Sequence, residues 1–538
     1  MKPFDASGAY RLAAQRGELR RLAVRAAGVT VLSQGSAFAV QMIATVILAR
    51  LLTPADFGLV TMVTTFSLLL TSFGLNGFTE AVLRADEIDH LLVSNLFWIN
   101  VSAGLLLTIA FAAAGSLMAG FYGEPRVAHV AVGMSVTIFI TSTSVLHLAL
   151  LQRAMRFAEV SVNDILARGV SVAVSILLGW AGWGYWALVG GAVAQPLTTS
   201  IGAWALCQWV PGLPRRVAGT APMVRFAMNI YSHFTVNYVA GNLDNLLVGW
   251  RFDALSLGFY KKAYDLFVLP ANQLLSPIAA VVISTLSRLN RDTVQYRRYF
   301  LSGLSILAFV GMGVGADLTL VGKDLIRLLL GPGWEASGRI FTFFGPGIGV
   351  MLIYSTHGWI HLSIGRADRW FRWGLIEVTV AGLLFVLALP WGPVGIAVAW
   401  TASFWILTIP AFWYAGRPIH FGIAQVIAVV WKYLFASALA GCTSAVVIQG
   451  IPSLVAASGW AGAVARIFTI SLLFSALYIG AVILLHGGCE PLYQVARLSS
   501  DIVPWGSFSR WAPAVAGTRG SSKSVTLTTE ETSLSQGR

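Results

Sequence analysis

Fourteen apolar stretches divide the sequence, and each is about long enough to cross a lipid bilayer. A helical span needs roughly 20 apolar residues. The stretches occupy about residues 27–50, 58–83, 91–119, 127–151, 160–181, 184–209, 226–249, 256–286, 299–322, 337–364, 372–390, 394–415, 423–448 and 461–486. Because 57% of the 538 residues are hydrophobic and only 11% are charged, a water-soluble fold could not bury so much apolar surface. The pattern predicts an all-α polytopic membrane protein.

The basic residues indicate which ends of these stretches face the cytoplasm. Cytoplasmic loops of membrane proteins collect Lys and Arg, and most of the 36 Lys and Arg lie in the two tails and in the loops that share their side. We therefore expect both termini in the cytoplasm. The same rule explains the net charge of +13 without nucleic acid as a partner. Residues 1–26 are predicted to form a basic amphipathic segment, and residues 491–538 a largely disordered tail.

The first and seventh apolar stretches resemble each other. Residues 34–58 read QGSAFAVQMIATVILARLLTPADFG, and residues 234–258 read FTVNYVAGNLDNLLVGWRFDALSLG. In this register Gly58 is equivalent to Gly258, and both copies place polar or small side chains on one helix face. The string RAMRF after the fourth stretch matches RADRW after the tenth. The chain therefore contains an internal repeat.

The repeat predicts two six-helix halves. They would cover residues 27–210 and 226–416, with a cytoplasmic linker at 211–225 and two additional helices within 417–490. Since six is an even number of spans, both halves enter the membrane from the cytoplasm. They are then parallel repeats related by an axis along the membrane normal, and the working cavity of such folds lies between the halves.

Several strings in the sequence resemble one family of transporters. They are LARLLTPADFGLV, FYGEPRV, LLQRAMRFAEVS, GWGYWALVG, DNLLVGWRFDALSLGFYKKAYDLFVLP, LLGPGWEAS and IGRADRWFRWG. Over about residues 27–416 they resemble the polysaccharide transporter branch (Wzx-type, colanic-acid-exporter-like) of the multidrug/oligosaccharidyl-lipid/polysaccharide (MOP) flippase superfamily. The resemblance implies a V-shaped, MATE/MurJ-like bundle of two six-helix lobes, with the two additional helices at the C-terminal end.

The same resemblance implies a function. It would be a flippase of the bacterial inner membrane that moves undecaprenyl-diphosphate-linked oligosaccharide outward by alternating access, for exopolysaccharide, capsule or lipopolysaccharide biosynthesis. Its partners would be that substrate, membrane lipid, and the polysaccharide polymerase and export machinery.

The sequence offers no nucleophile–base set and no Gly-rich phosphate loop, so we expect neither an enzyme nor a cofactor. The alternative is a cation-coupled multidrug exporter of the same superfamily.

Basic residues cluster near the predicted outer ends of the first and seventh stretches. They are Arg50, Arg251, Lys261 and Lys262. Most such residues anchor a helix at the membrane surface. However, Lys261 can pair with Asp265 at i+4, whereas Lys262 has no such partner. We hypothesise that one of these bases meets the diphosphate or an acidic sugar.

Polar residues on the paired first and seventh stretches are candidates for a cavity wall. Gln41 lies on the first, and Asn237, Asp244 and Asn245 share one face of the seventh with Gly241. Hydrogen bonds between helices are the alternative explanation. A charge at mid-membrane costs about 2.5–3.5 kcal/mol on insertion scales, so an acid such as Asp244 is informative.

Two intramembrane acids occupy equivalent positions in the repeat. Asp164 follows Arg153, and Glu377 follows Arg366, at the same spacing. This equivalence favours a role for Asp164 and Glu377 as acids that couple transport to a cation or gate it. For Asp164 an ion pair with Arg168 at i+4 is the alternative.

Three further groups of residues are interpreted as structural. His357 and His361 have the i, i+4 spacing of metal ligands but no evident third ligand, so we favour a buried pair and expect no metal. Lys432 and Arg466, in the additional helices, are expected to extend toward the membrane surface. The three cysteines are far apart, form no CxxC motif and are interpreted as packing residues.

The predicted orientation can be tested by cysteine labelling in a variant that lacks the native cysteines. A cysteine at Arg216 or Arg291 should react with a membrane-impermeant maleimide only after the inner membrane is opened. A cysteine at Glu124 or Gly392 should react from outside, because these positions lie in loops of the opposite side. The reversed labelling pattern would overturn the orientation.

Overall fold

A computed structural model describes residues 3–5, 8, 10, 35–36, 38–85, 87–215, 219–290, 292–419, 421–452, 459–489 and 492–493. The described part is almost wholly helical, with an isolated β-bridge between Phe4 and Tyr10. Residues Met1–Pro491 form one compact unit. The predicted amphipathic segment and the predicted disordered tail lie almost entirely outside the described residues.

Fifteen α-helices make up the described part of the chain. They are α1 Phe38–Leu51, α2 Pro54–Arg84, α3 His90–Tyr122, α4 Arg126–Arg153, α5 Phe157–Trp180, α6 Tyr185–Cys207, α7 Thr220–Gly241, α8 Leu243–Arg251, α9 Ala254–Leu289, α10 Thr293–Leu330, α11 Glu335–Ser363, α12 Ala367–Ala388, α13 Gly392–Gly416, α14 Ile423–Gln449 and α15 Gly459–His486.

Each predicted apolar stretch falls on a helix over its described residues. The seventh stretch is divided into α7 and α8 by a break at Asn242. Among the described residues, nine segments are long and apolar enough to cross a membrane, and one of them, Asp368–Ile419, contains both α12 and α13. The total of fourteen spans and the division into two six-helix halves stay predictions.

The acids after the first and seventh stretches cap the helices that follow them. Thr53 accepts the Asp56 N–H, and the Asp56 carboxylate accepts the Thr53 N–H, which together form a capping box at the start of α2. Asp253 is the N-cap of α9 and accepts the Ser256 N–H at 2.7 Å. The two acids therefore both cap the start of a helix, but Asp56 does so from the third helical residue and Asp253 from the N-cap position.

The two repeat-equivalent glycines bring α2 and α9 into backbone contact. A Cβ atom on Gly58 would lie 1.6 Å from the Ala254 carbonyl oxygen, and one on Gly258 would lie 1.8 Å from the Pro54 carbonyl oxygen. The contact is reciprocal in the register of the repeat, which is the pattern that two-fold related elements produce. Only glycine permits this approach. We call it the glycine crossing.

The additional helices α14 and α15 are attached to α10 by polar contacts. Arg466 of α15 forms a two-pronged ion pair with Asp324, at 2.9 and 2.6 Å. Ser471 donates a hydrogen bond to Asp317. An acid of α10 therefore satisfies the charge of Arg466 between helices, which sequence analysis did not predict, and its extension toward the membrane surface stays a prediction.

The glycine crossing predicts a selective effect of one added methyl group. Gly58→Ala and Gly258→Ala should each lower the melting temperature of the purified protein, because the backbones must separate to admit the methyl group, and overpacking costs about 1–3 kcal/mol. Gly480→Ala is the control, since a Cβ atom there meets no other group within 4 Å. Equal melting temperatures for all three variants and the unmodified protein would contradict the close contact.

Candidate functional site

The break between α7 and α8 lies within the predicted polar stripe. Asn242 lies at the break, and its side chain donates to the Tyr238 carbonyl oxygen at 2.9 Å. Discontinuous membrane helices commonly form the substrate and ion sites of transporters. The candidate residues of the seventh stretch are therefore close to a typical binding element.

Asp244 and Asn245, directly after the break, are buried. Asp244 is 3% exposed, and its carboxylate accepts hydrogen bonds from the Tyr260 hydroxyl of α9 and from the Asn245 N–H, both at 2.8 Å. The side-chain oxygen of Asn245 is buried and has no partner among the described residues. These contacts fix α8 against α9 and leave one unused hydrogen-bond acceptor.

The two lysines that follow on α9 have different surroundings. Lys261 forms an ion pair with Asp265 at 2.9 Å, as the spacing predicts. The Lys262 ammonium lies 4.0 Å from the centroid of the Phe57 ring of α2, a cation–π contact. No carboxylate of the described residues forms an ion pair with Lys262. Lys262 is thus a charge beside the glycine crossing that lacks an acidic partner there.

Arg50 binds the end of another helix. Its guanidinium donates to the carbonyl oxygens of Leu328 at 2.8 Å and Leu329 at 3.4 Å, in the last turn of α10. A cation is favourable at this negative end of the helix dipole. Arg50 also lines a cavity of about 760 Å³ together with Gly331 and Trp460. Its charge is used in this conformation to hold α1 against α10.

Trp334 completes the contact between α1 and the turn after α10. Its indole N–H donates to the Ala49 carbonyl oxygen at 2.9 Å, and its ring packs against Phe57 and Phe259. The hydrogen bonds of Arg50 and Trp334 and the glycine crossing lie at the same end of the bundle. We call these three contacts together the outer clasp, because the predicted orientation places them on the periplasmic side. They hold the first stretch and its loop against α9 and α10.

The remaining predicted binding residues are less constrained. Arg251 is exposed, and its guanidinium lies 5.9 Å from the Phe252 ring centroid. Gln41 is an exposed residue of α1, and Asn237 belongs to α7. Only the helical backbone of Asn237 is described.

The two repeat-equivalent acids have different partners. Asp164 forms an ion pair with Arg168 at 2.9 Å on a partly exposed face of α5. Glu377 of α12 lies beside the Tyr354 hydroxyl of α11, and that hydroxyl accepts the Trp373 indole N–H at 2.8 Å. Equivalent sequence positions therefore carry a surface pair in one repeat and an interhelical network in the other.

The histidine pair on α11 lies next to this network and is buried. The ring of His357 is 6.2 Å from that of Trp373, and its Nδ1 lies 2.6 Å from the Tyr354 carbonyl oxygen. Its Nε2 and both ring nitrogens of His361 have no hydrogen-bond partner among the described residues. No group of three potential metal ligands occurs in this described part.

Sequence analysis did not single out Tyr260, Phe57 and Trp334 as site residues. All three lie within strings that carry the family resemblance, and this was the only indication in the sequence that they could belong to the site. Their partners, Asp244, Lys262 and Ala49, are brought to them by helix packing. Residue type and local spacing do not reveal such contacts.

The fold is that of known membrane transporters. The model aligns with a structure titled "Lipid II flippase MurJ, inward closed conformation" at a TM-score of 0.65 and 14% identity, covering 86% of this chain and all of that one. An inward-facing multidrug resistance MATE transporter of the MOP superfamily aligns at a TM-score of 0.54 and 13% identity, covering 72% of this chain and 98% of that one. The predicted all-α polytopic membrane fold is confirmed.

Sequence comparison identifies the family. The model of the family described as "Polysaccharide biosynthesis protein" matches residues 47–338, so the chain belongs to that family, and the predicted resemblance is confirmed. The succinoglycan biosynthesis transport protein ExoT of Rhizobium meliloti is 21% identical over 66% of this chain and 72% of its own length. The lipopolysaccharide biosynthesis protein WzxC of Escherichia coli is 23% identical over 54% of this chain and 59% of its own length.

The hydrogen bond between Tyr260 and Asp244 predicts a difference between two neighbouring tyrosines. Tyr260→Phe should lower the melting temperature of the purified protein, since a buried acceptor left without its donor costs about 1–3 kcal/mol. Tyr264→Phe makes the same chemical change on the same helix, but no hydrogen bond of that hydroxyl occurs among the described residues, so it should have a smaller effect. A larger loss in Tyr264→Phe would show that the Asp244 contact does not stabilise this region.

Proposed function

We propose that this protein is a flippase of the bacterial inner membrane. Its cargo would be oligosaccharide repeat units linked to undecaprenyl diphosphate, moved from the cytoplasmic to the periplasmic leaflet for exopolysaccharide, capsule or lipopolysaccharide assembly. Family membership supports a role in polysaccharide biosynthesis, and relatives are named for succinoglycan transport and lipopolysaccharide biosynthesis. The fold shared with a lipid II flippase supports a lipid-linked cargo. A polymerase and export machinery would receive the product.

The observation that carries this proposal is the position of Lys262. It is a base beside the glycine crossing of α2 and α9, held over the Phe57 ring rather than by a carboxylate of the described residues. A diphosphate can replace the weaker cation–π contact with a charge-assisted hydrogen bond. Asp244 and Asn245 would form the adjoining polar wall, with Lys261 and Arg251 nearby along the chain. A cationic drug would be repelled by the same lysine.

In an alternating-access cycle, the outer clasp would be the closed gate on the periplasmic side. The cargo can leave at that end only if the Arg50 and Trp334 hydrogen bonds break and the glycine crossing separates. A hydrogen bond to a charged group contributes about 1.5–3 kcal/mol and a neutral one about 0.5–1.5 kcal/mol. The two hydrogen bonds of the clasp are therefore weak enough to break and form again. Arg50 would act as part of this closure, and it would meet the anionic headgroup only when the clasp is open.

The membrane potential can drive this transport. One charge crossing 100 mV changes its free energy by about 2.3 kcal/mol. With the inside of the cell negative, outward movement of a diphosphate with about two negative charges would be favoured by about 4–5 kcal/mol. Coupling to H⁺ or Na⁺ could add to this. Glu377 with Tyr354, and Asp164 with Arg168, are the candidate coupling or gating acids.

Replacement of Lys262 tests the proposed cargo. In cells that depend on this protein, Lys262→Gln should cause lipid-linked oligosaccharide to accumulate on the cytoplasmic leaflet, because the headgroup loses a partner that contributes about ten- to hundred-fold in affinity. Lys262→Arg keeps the charge and should retain much of the export. Protein level in the membrane is measured in parallel.

The opposite results would decide against the proposal. Unchanged glycan export in Lys262→Gln at normal protein level would remove Lys262 from the substrate site. A loss of tolerance to cationic drugs with intact glycan export would favour the multidrug exporter instead.

A further inference from the structure

The structure contains a large groove outside the region of the outer clasp. It has a volume of about 1270 Å³ and is bounded by α3, the chain before α7, and the first turns of α7. None of its lining residues belongs to α2, α8 or α9. The side chains along it are Asn95, Trp98, Ile99, Ser102, Ala103, Leu106, Pro214, Arg215, Thr220, Ala221, Val224 and Arg225.

Two arginines form the basic part of the groove lining. Arg215 and Arg225 are both exposed, and no carboxylate of the described residues forms an ion pair with either. The N-cap residue of α7 is Gly219, which provides no side-chain cap. Two guanidinium groups beside a helix N-terminus favour a phosphate.

The α3 side of the groove is mostly apolar and partly exposed. The α3 residues that line the groove recur every three to four positions and so share one helix face. Among them, Trp98, Ile99 and Leu106 are 39%, 36% and 69% exposed. Ligand pockets for small molecules usually measure about 300–1,000 Å³. This groove is larger and combines a basic part with an apolar wall, so it suits an amphiphile with one anionic headgroup and long hydrocarbon chains.

The floor of the groove is held firmly. The Asn95 side chain forms two hydrogen bonds with the Arg215 backbone. Its amide oxygen accepts the Arg215 N–H at 2.9 Å, and its amide nitrogen donates to the Arg215 carbonyl oxygen. The Trp98 indole N–H donates to the Gly212 carbonyl oxygen at 2.8 Å, and the Gly212 N–H donates to Ser94 at 2.9 Å. The backbone at Gly212 and Arg215 is thereby attached to α3.

We infer that this groove binds an anionic phospholipid of the cytoplasmic leaflet. The phosphate lies between Arg215 and Arg225, and an acyl chain follows Ile99, Leu106 and Val224. Basic pockets between membrane helices on the cytoplasmic side are typical sites for anionic headgroups. The lipid connects α3 to the start of α7 and so stabilises the segment that joins the two predicted halves. Because the groove is separate from Lys262, the bound lipid is a resident component and is not the cargo.

Lipid binding to the purified full-length protein tests this inference without any measurement of transport. In delipidated protein, phosphatidylglycerol should raise the melting temperature more than phosphatidylcholine does. The double variant Arg215→Gln, Arg225→Gln should lose at least about ten-fold in apparent affinity for phosphatidylglycerol. The matched control is Arg288→Gln, Arg298→Gln, which removes two exposed arginines elsewhere on the predicted cytoplasmic side and should bind as the unmodified protein does.

A photo-cross-linking residue in place of Leu106 identifies the occupant. In membranes, it should form adducts mainly with anionic phospholipid, and the Arg215→Gln, Arg225→Gln change should reduce them. Equal adducts with zwitterionic and anionic lipids, or no effect of the double change at an unchanged melting temperature of the lipid-free protein, would overturn the inference. Adducts mainly with prenyl diphosphate would also overturn it and would make the groove a route for the cargo.

Discussion

The structure depends on the contact of α2 and α9 at Gly58 and Gly258. Each glycine meets a carbonyl oxygen of the opposite helix, at Ala254 and Pro54, so two long helices from different repeats lie directly against each other without side chains between them. In a membrane, where apolar association with other helices competes with apolar lipid, such close packing is a main source of helix attachment. It also places Phe57 and Lys262 together, one residue before the first glycine and one turn after the second.

The groups that break the apolar pattern are mostly satisfied by distant partners. Asp244 is bonded to Tyr260, Arg466 to Asp324, and Arg50 to the last carbonyl groups of α10. This is required in the membrane, since polar groups without partners cost several kcal/mol there. The Lys262 ammonium, with an aromatic ring as its neighbour, differs from them. This difference makes it the best candidate for a charged ligand.

Much of the fold could be predicted from the sequence because it depends on local pattern. The length of each apolar stretch indicates a helix, and the repeat brought Gly58 and Gly258 into one register before their contact was known. Both copies of the repeated segment also carry an acid near the helix turn, Asp56 or Asp253, although their different cap positions follow only from the structure. The ion pair of Lys261 with Asp265 follows directly from helical spacing.

The parts that could not be predicted depend on packing between distant segments. The break at Asn242 occurs in a stretch with no proline to indicate it. Arg50 and Leu328 are separated by 278 residues, and Arg466 and Asp324 by 142, so the role of each arginine is set by the bundle. Asp164 and Glu377 are equivalent in sequence, but only the packing of α11 against α12 gives Glu377 its tyrosine partner.

The central claim is that the outer clasp closes the exit and opens to release a lipid-linked cargo. The most direct measurement is the distance between spin labels at Leu51, the last residue of α1, and Leu255, near the start of α9, both exposed, in a cysteine-free background in lipid vesicles. Addition of undecaprenyl-diphosphate-linked oligosaccharide should produce a second population at longer distance. A single, unchanged distance distribution in protein that transports this cargo would contradict the account.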